Sequence, residues 1–390
     1  MESLTIPPER LKIPPKFHPV KTVSLQDVHE TFKKYYYIPD TNLIDVVLAV
    51  KINRLLEGVP LWIFLVGRSG TGKTTLLEHL EDSDTKVIHY LTSKTLVSGK
   101  KEIKEDFIQL IWGKVVLIYD LAKVMTVNPL EKAQIFAQFR DLYDGHLGGM
   151  YGTGKDVTYQ GKPPEMLVGV TNAIYNEKII HDKLGTRELL YKIALTEEEE
   201  EEMKKRALTL SKNNLELIAK RNCEKIIQNF ISSRKHLKDL KIPPEIDGKC
   251  LEITKELRIL RATAEIDRYT GELQSDAEYE VPTRSSRQLL QLYKALKHLD
   301  PNYSDEKFLE ICKHIVESSA DQVTLKVYRL LQNEAGVQLS TNQVARKLRL
   351  GWKTAYTRCN LLWNTGVINR HVVDNPEGGG KVKMWSMLLT

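Results

Sequence analysis

Residues 67–74 read Gly-Arg-Ser-Gly-Thr-Gly-Lys-Thr, directly after the apolar run 61–66 and directly before the helix-compatible stretch 75–80. Glycines at three of these positions let the backbone turn tightly and direct its N–H groups at phosphate oxygens. In this pattern the lysine contacts the β- and γ-phosphates, and the hydroxyl that follows it ligates Mg²⁺. The stretch therefore predicts a loop that binds ATP and Mg²⁺. Its residues are Gly67, Arg68, Ser69, Gly70, Thr71, Gly72, Lys73 and Thr74.

Length and composition are those of an ordinary soluble protein. A chain of 390 residues has room for two to three domains. No run of eighteen or more apolar residues occurs and no signal-peptide core is present, so we expect a soluble intracellular protein, cytoplasmic or associated with the nucleoid, that does not contact membranes. The four cysteines form no Cys-x-x-Cys pair, which argues against a zinc site and for reduced thiols.

Alternating strand and helix signals run from about residue 41 to residue 196. Apolar runs predict strands at 61–66, 86–91, 115–119, 166–171 and 189–195, and a helix precedes the first of them. Such alternation implies a parallel sheet covered by helices on both faces. We predict an α/β P-loop sandwich, αβα in its layers, over residues 41–196. A flexible Pro-rich arm is expected over residues 1–40.

Strand signals then stop until the C-terminal part of the chain. The acidic run 197–202 opens a long amphipathic helix, where the helix dipole favours carboxylates. Helical patterns continue to about residue 319, which predicts a helical lid over residues 197–319.

Residues 320–390 have a different pattern and a different charge. Short helices are predicted at 323–332, 340–348 and 353–363, followed by strands at 367–373 and 381–388 around a Gly-rich loop. This order predicts a winged helix-turn-helix. The segment carries ten Lys or Arg against four Asp or Glu, and this balance equals the +6 of the whole chain. DNA is therefore the expected partner.

Two polar residues end predicted strands of the sheet. Asp120 follows the third strand and is placed to hold Mg²⁺ together with Thr74. Asn172 follows the fourth strand, where its amide reaches the γ-phosphate and the attacking water or caps the next helix.

The order of these motifs resembles the AAA+ ATPase family over about residues 43–300. The resemblance rests on the P-loop, the strand-end Asp120, the strand-end Asn172, an arginine before the fifth strand and the helical lid, in that order. It implies ATP hydrolysis, with Lys73, Asp120, Asn172 and Arg187 as the catalytic residues. By position Asn172 is similar to sensor 1, and Arg187 resembles an arginine finger that reaches the nucleotide of a neighbouring subunit. The resemblance therefore implies a homo-oligomer, usually a hexameric ring, and Arg140 is the alternative trans-acting cation.

The stretch 282–290 resembles the sensor-2 helix of minichromosome maintenance helicases. Arg287 is the positional match for a nucleotide-binding arginine, and Arg284 is the second candidate. The chain as a whole also resembles AAA+ proteins of mobile elements and viruses. One departure concerns Leu121, because many ATPases of this kind carry a catalytic glutamate directly after the strand-end aspartate. Either Asp141 or Asp144 polarises the water, or hydrolysis is slow and the protein is a nucleotide switch.

A Gly-rich insertion, 145–162, predicts a β-hairpin before the fourth strand of the sheet. Helicase-like AAA+ proteins carry a pore-lining hairpin at this place, and the loop 93–101 corresponds to another pore loop. The resemblance implies that Lys155 at the hairpin tip contacts a phosphate backbone; a purely structural hairpin is the alternative.

The winged helix supplies the other predicted DNA contacts, although such domains also mediate protein contacts. These residues are Lys353, Tyr356, Arg358, Arg370, Lys381 and Lys383. The leading hypothesis is a ring-forming DNA-binding ATPase that acts in replication, remodelling or transposition, as a helicase or a loader. The alternative is a nucleotide-switched regulatory or signalling ATPase that uses the winged helix for operator or protein binding.

Overall fold

The computed structural model describes residues 23–388 apart from 101, 177–184, 186, 235–239, 268, 280 and 375–379. Most of the predicted N-terminal arm and the centre of the Gly-rich loop near residue 377 lie outside these described residues. The first seven strands of the described chain are β1 (Trp62–Val66), β2 (Thr85–Val87), β3 (Val115–Ile118), β4 (His146–Met150), β5 (Asp156–Gln160), β6 (Glu165–Val170) and β7 (Leu189–Lys192).

Five of these strands form the central sheet, in the order β2-β3-β6-β1-β7, and every pair is parallel. The fold is therefore mixed α/β with a parallel central sheet, as predicted. Strands β4 and β5 pair antiparallel as a separate hairpin, at the place where the sequence predicted one.

Eleven helices precede the C-terminal segment within the described residues. They are α1 (Leu25–Tyr35), α2 (Asn42–Asn53), α3 (Lys73–Glu78), α4 (Phe107–Ile111), α5 (Ala122–Met125), α6 (Pro129–Tyr143), α7 (Glu197–Lys212), α8 (Glu216–Ser232), α9 (Pro244–Leu260), α10 (Thr283–Leu299) and α11 (Asp305–Ser319).

The sheet is buried on both faces, which explains why its strands are almost continuously apolar. Along β1, Ile63 and Leu65 belong to a core shared with α1, α2 and the helices after residue 196. Trp62 and Phe64 point the other way, into a core shared with α4 to α6. Side chains alternate between faces along a strand, so β1, β3, β6 and β7 each contribute to both cores.

The helices after residue 196 do not form a core of their own. Helix α10 packs along α2, and α11 packs beside the edge strand β7. Hydroxyls of α11 satisfy backbone donors of that edge: Lys192 N donates to Ser318 Oγ at 3.0 Å and Leu190 N donates to Ser319 Oγ at 2.8 Å. The predicted helical lid therefore shares one continuous core with a face of the sheet.

Helix α1 corrects the predicted arm, which was expected to run to residue 40. Ser24 and Asp27 form a capping box at its start, and Val28 and Phe32 are fully buried. The helix packs against α8. A Ser-x-x-Asp cap followed by apolar residues at helical spacing is visible in the sequence, but the prolines before it directed the prediction toward an extended chain.

The last part of the chain forms a small module with its own core. It contains α12 (Gln322–Asn333), β8 (Leu339–Ser340), α13 (Thr341–Leu348), α14 (Trp352–Asn364), β9 (Ile368–Asp374) and β10 (Lys381–Met387). Its three strands form an antiparallel sheet in the order β8-β10-β9. Trp385 is fully buried, and its indole N–H donates to Thr341 Oγ1 at 2.9 Å. None of the described helices combines the length and hydropathy that crossing a bilayer requires.

Candidate nucleotide-binding site

The Gly-rich loop 67–72 connects β1 to α3 at the carboxyl edge of the parallel sheet, where open α/β sheets bind their ligands. Gly70 and Gly72 have φ of +84° and +76°, and beyond their chain neighbours no atom lies within 4 Å of where a Cβ would stand on either residue. The left-handed backbone is open to glycine without strain. This conformation leaves the loop backbone accessible to a phosphate group.

Lys73 is folded back onto this loop. Its Nζ donates to the carbonyl oxygens of Gly67 at 2.8 Å and Arg68 at 2.7 Å. Burial lowers the pKa of Lys73, and the negative charge of Asp120 partly opposes that shift. The ammonium group is therefore held by neutral carbonyls inside the loop, and a phosphate oxygen would give it a charged partner.

Asp120 and Asn172 come from neighbouring strands at the same edge. Strand β6 lies between β3 and β1, and Gly67 N donates to Val170 O at 3.1 Å, which sets Asn172 beside the start of the loop. Both side chains are exposed. The structure thus brings together three of the four predicted catalytic residues, with Lys73 as the third.

A Mg²⁺ ion fits the residues at this edge. Thr74 and Asp120 are exposed. The Oδ1 atom of Asp120 accepts a hydrogen bond from Ala122 N at 2.8 Å, and its Oδ2 atom takes no part in that turn. Hydroxyl and carboxylate oxygens are the ligands that Mg²⁺ prefers. Elsewhere in the described ranges, no three His, Cys, Asp or Glu side chains are grouped as a metal site.

Neither aspartate proposed to polarise water lies at this edge. Asp144 pairs with Arg187 Nη2 at 2.5 Å and lines a cavity with Pro60 and Pro163, which precede β1 and β6. Asp141 lies one turn earlier on α6. Both are therefore at the amino edge of the sheet, opposite the nucleotide loop. Leu121 is fully buried and its N–H donates to Gly169 O at 2.9 Å, so this position belongs to the core.

Arg187 also lies at the amino edge. Ile63 pairs with Leu189, so Arg187 is level with Leu61, six residues before Gly67. At about 3.3 Å per residue the two edges are roughly 20 Å apart, which is beyond the reach of an arginine side chain. Its guanidinium is buried, 5.7 Å from the centre of the Tyr143 ring. Arg187 does not reach the nucleotide loop of its own chain.

Two further arginines share that edge, which corrects the expectation for Arg287. The first two turns of α10 carry Arg284 and Arg287, and both line the amino-edge cavity of about 620 Å³ with Asp144. Arg284 Nη1 donates to Gly185 O at 3.0 Å, and Gln288 Nε2 donates to Arg187 O at 2.7 Å. The side chain of Gln291, one turn later, reaches Asn53 of α2 at 2.7 Å and so fixes α10 at this edge. Arg287 therefore cannot bind nucleotide in its own loop.

Lys155 is an internal anchor of the β4–β5 hairpin, which differs from the predicted DNA contact. Its Nζ donates to Asp106 Oδ2 at 2.7 Å, Ser98 O at 2.9 Å and Ile103 O at 3.2 Å. Tyr159 Oη donates to the same Asp106 oxygen at 2.6 Å. The hairpin tip thus packs on Ser98 of the other predicted pore loop, 93–101, and on Ile103 and Asp106, which follow that loop. The charge of Lys155 holds these segments together.

The sequence reasoning missed Asp106, the acceptor at the centre of that contact. It is only 1% exposed. Burial raises its pKa, but the hydrogen bonds from Lys155, Tyr159 and Ser98 N outweigh burial and lower the pKa below its usual value. The only signal in the sequence is an aspartate at a helix start, and that gives no information about a partner fifty residues away.

The predicted DNA-binding residues of the C-terminal module have different environments: some are exposed, and others are held by contacts within the protein. Lys353 and Lys381 are exposed, and Arg358 Nη2 lies 3.3 Å from Asp321 Oδ2. Arg370 stacks on Trp363, 3.4 Å from its ring centre. Tyr356 and Lys383 contact each other and the same carboxylate, Glu272, which precedes α10.

No family model matches the chain, and no curated protein matches it. Among solved structures, the RuvB Holliday junction branch migration motor of Thermotoga maritima is 14% identical, with 92% of this chain and 94% of that chain covered and a TM-score of 0.27. The Aeropyrum pernix ORC1 protein in complex with DNA is 13% identical, with 90% and 89% covered and a TM-score of 0.27. The apo C-terminal region of NrS-1 is 11% identical, with 95% and 77% covered and a TM-score of 0.27. At such TM-scores the α/β class of this chain rests on its own parallel sheet.

Proposed function

We propose that this protein is an ATPase of the AAA+ type that acts on DNA as an oligomer. The observation that carries the proposal is the glycine loop at the carboxyl edge of the sheet, with Lys73 inside it and the side chains of Asp120 and Asn172 on adjacent strand ends. In this role Lys73 contacts the β- and γ-phosphates, and Thr74 and Asp120 hold Mg²⁺. Asn172 orients the attacking water.

The positions of the arginines support a nucleotide site shared between subunits. Arg187, Arg284 and Arg287 lie at the edge opposite the loop, where they cannot contact nucleotide in the same chain. A neighbouring subunit that docks its nucleotide loop against this edge would place positive charges next to the γ-phosphate. Arginines supplied in this way contribute on the order of 10³ or more to the rate of phosphoryl transfer. A ring, such as a hexamer, satisfies this arrangement at every interface.

DNA is the proposed substrate because of the charge on the C-terminal module, which has the strand and helix order of a winged helix-turn-helix. Its net charge of +6 equals that of the whole chain. Unwinding, loading or remodelling of DNA, in replication or transposition, are the activities that such an ATPase would serve.

The nucleotide proposal is tested by replacing Lys73. We expect Lys73→Ala to abolish ATP turnover and to weaken ATP binding, because the phosphates lose their fixed cation. Lys204→Ala, on the exposed surface of α7, is the matched control and should leave both unchanged. Wild-type turnover in the Lys73 variant would refute the proposal.

The regulatory alternative is favoured by one specific observation, the burial of Leu121. No carboxylate follows Asp120 on this strand, and Asp141 and Asp144 lie at the other edge. A nucleotide switch predicts tight ATP binding with turnover that DNA does not accelerate. The ATPase proposal predicts turnover that rises with DNA, so titrating DNA into a steady-state assay separates the two.

A further inference from the structure

The segment between α9 and α10 forms an irregular hairpin over residues 263–278, here called the acidic hairpin. Thr263 pairs with Glu278 and Ile266 pairs with Leu273. Asp267 closes the tip, because its Oδ1 accepts from Thr270 N at 2.6 Å and from Tyr269 N at 2.9 Å. Five Asp or Glu and a single Arg lie in this stretch. It is a folded, strongly negative element.

The acidic hairpin packs on helix α14 and strand β10 of the C-terminal module. Glu272 accepts from Tyr356 Oη and from Lys383 Nζ, the latter at 3.0 Å. Gly271 O accepts from Thr357 Oγ1 at 3.1 Å. Further along the helix, Ala277 N donates to Asn364 Oδ1 at 2.6 Å. The contacts follow one side of α14 for two turns.

Polar side chains of α14 are buried where the hairpin and the core of the module meet. Tyr356 is 4% exposed, Thr357 8% and Asn360 1%. Asn360 Nδ2 points at Glu272 at 3.4 Å, and its Oδ1 has no hydrogen-bond partner among the described residues. A polar helix side of this kind belongs at a wet or charged interface, since a buried polar group without a partner costs free energy. In this chain the acidic hairpin covers that side.

The charges on the two sides are complementary. Arg370 of β9 lines a cavity of about 450 Å³ together with Glu272 and Asp276 of the hairpin. Hydrogen bonds from Tyr356 and Lys383 lower the pKa of Glu272 although burial opposes them. The hairpin carboxylates therefore occupy positions that phosphate groups would take if a duplex lay along α14 and β10.

We propose that the acidic hairpin is an autoinhibitory element that occupies the DNA-binding face of the C-terminal module and must leave before DNA binds there. This inference rests on the proposed DNA binding by that module. The predicted DNA contacts Tyr356 and Lys383 are the groups that the hairpin holds, so hairpin and DNA compete for the same side chains. The chain with the hairpin in place therefore binds DNA more weakly than the same face would without the hairpin.

The test compares single-charge variants of the full chain for binding of a fluorescently labelled DNA duplex at low salt. Glu272→Gln keeps the size and an acceptor oxygen but removes the charge opposite Lys383. We expect about three- to tenfold tighter binding, because the change removes the ion pair that competes for Lys383 and a charge that repels the DNA phosphates. Adding Lys383→Ala to Glu272→Gln should remove this gain, because the freed cation is what DNA binds.

Glu265→Gln is the matched control, since Glu265 is exposed on the same hairpin and the change in net charge is identical. If both variants bound the duplex more tightly by the same factor, the gain would come from the change in net charge alone, and the inference would be overturned. Wild-type affinity in Glu272→Gln, when wild type itself binds duplex, would also overturn it and leave the proposed DNA binding intact. Absence of duplex binding by every variant and by wild type would refute the proposed DNA binding and the autoinhibition with it. Thermal unfolding of each variant checks that the fold is retained.

Discussion

Replacing Lys155 should destabilise the protein, because this lysine neutralises a buried carboxylate. Asp106 is 1% exposed and the Lys155 side chain is 10% exposed, and their charged atoms are 2.7 Å apart. Removing one partner of a buried pair costs about 3–5 kcal/mol, since the other charge remains in the interior. Asp106 keeps its hydrogen bonds from Ser98 N and Tyr159 Oη, so we expect Lys155→Met to lower the free energy of unfolding by about 3 kcal/mol.

Urea-induced unfolding at neutral pH measures this loss, with Lys94→Met on the exposed part of the contacted loop as the control. The double variant Asp106→Asn, Lys155→Met should lose less stability than Lys155→Met alone, because no unpaired charge is left.

The pH dependence of this stabilisation has a definite sign. The pKa of Asp106 is lowered in the folded protein, so the stabilisation is present above its unfolded pKa of about 3.9 and is lost as pH falls through the lower folded pKa.

A Lys155→Met variant as stable as wild type would refute this reasoning. If that variant had also lost DNA-stimulated turnover, Lys155 would be restored as the DNA contact that the sequence predicted.

Three further predictions concern the nucleotide site and the core. Asp120→Asn should abolish Mg²⁺-dependent turnover, and Mg²⁺ titration of the ATPase rate checks it. Its free energy of unfolding without nucleotide should stay within about 0.5 kcal/mol of wild type, because the side chain is exposed. Ser24→Ala should cost about 1 kcal/mol of stability by removing the cap of α1, and an effect near zero by urea unfolding would mean that the capping box does not stabilise α1. Burial raises the pKa of Glu165 to about 8. The contribution of Glu165 to folding stability is therefore complete below its unfolded pKa of about 4.3 and is lost as the pH rises through 8. Glu165→Gln should therefore be more stable than wild type at pH 9 and close to it at pH 5, as measured by thermal unfolding at the two pH values.

Local patterns in the sequence were sufficient for most of the fold. The five strands of the sheet were predicted within a few residues, and four of them, β1, β3, β6 and β7, read as buried apolar runs. The Gly-rich loop was found because its glycines are required by the backbone itself, as the positive φ angles of Gly70 and Gly72 show. Helix α7 begins at Glu197, where the acidic run indicated a first turn.

What the sequence could not give was the relation between distant segments. Asp144 and Arg187 are separated by forty-three positions, and only the packing of α6 against the sheet shows that they pair at the edge opposite the nucleotide loop. The partner of Lys155 is equally remote. The acidic hairpin lies within the stretch that was predicted to be helical, and nothing in residues 263–278 indicates that they lie on α14. Sequence patterns report which residues face a core, whereas site geometry depends on contacts between elements far apart along the chain.

The most direct test of the shared nucleotide site is a mixing experiment with two inactive variants. Lys73→Ala removes the phosphate-binding cation, and Arg284→Ala removes a cation of the opposite edge, where Arg187→Ala serves as a second choice. If the site is shared, a mixed assembly contains interfaces with an intact loop on one side and intact arginines on the other, so ATP turnover should reappear when the two variants are combined. The control is that each arginine variant is inactive on its own and still assembles. If the turnover of the mixture then equals the sum of the turnovers of the separate variants, the account is contradicted.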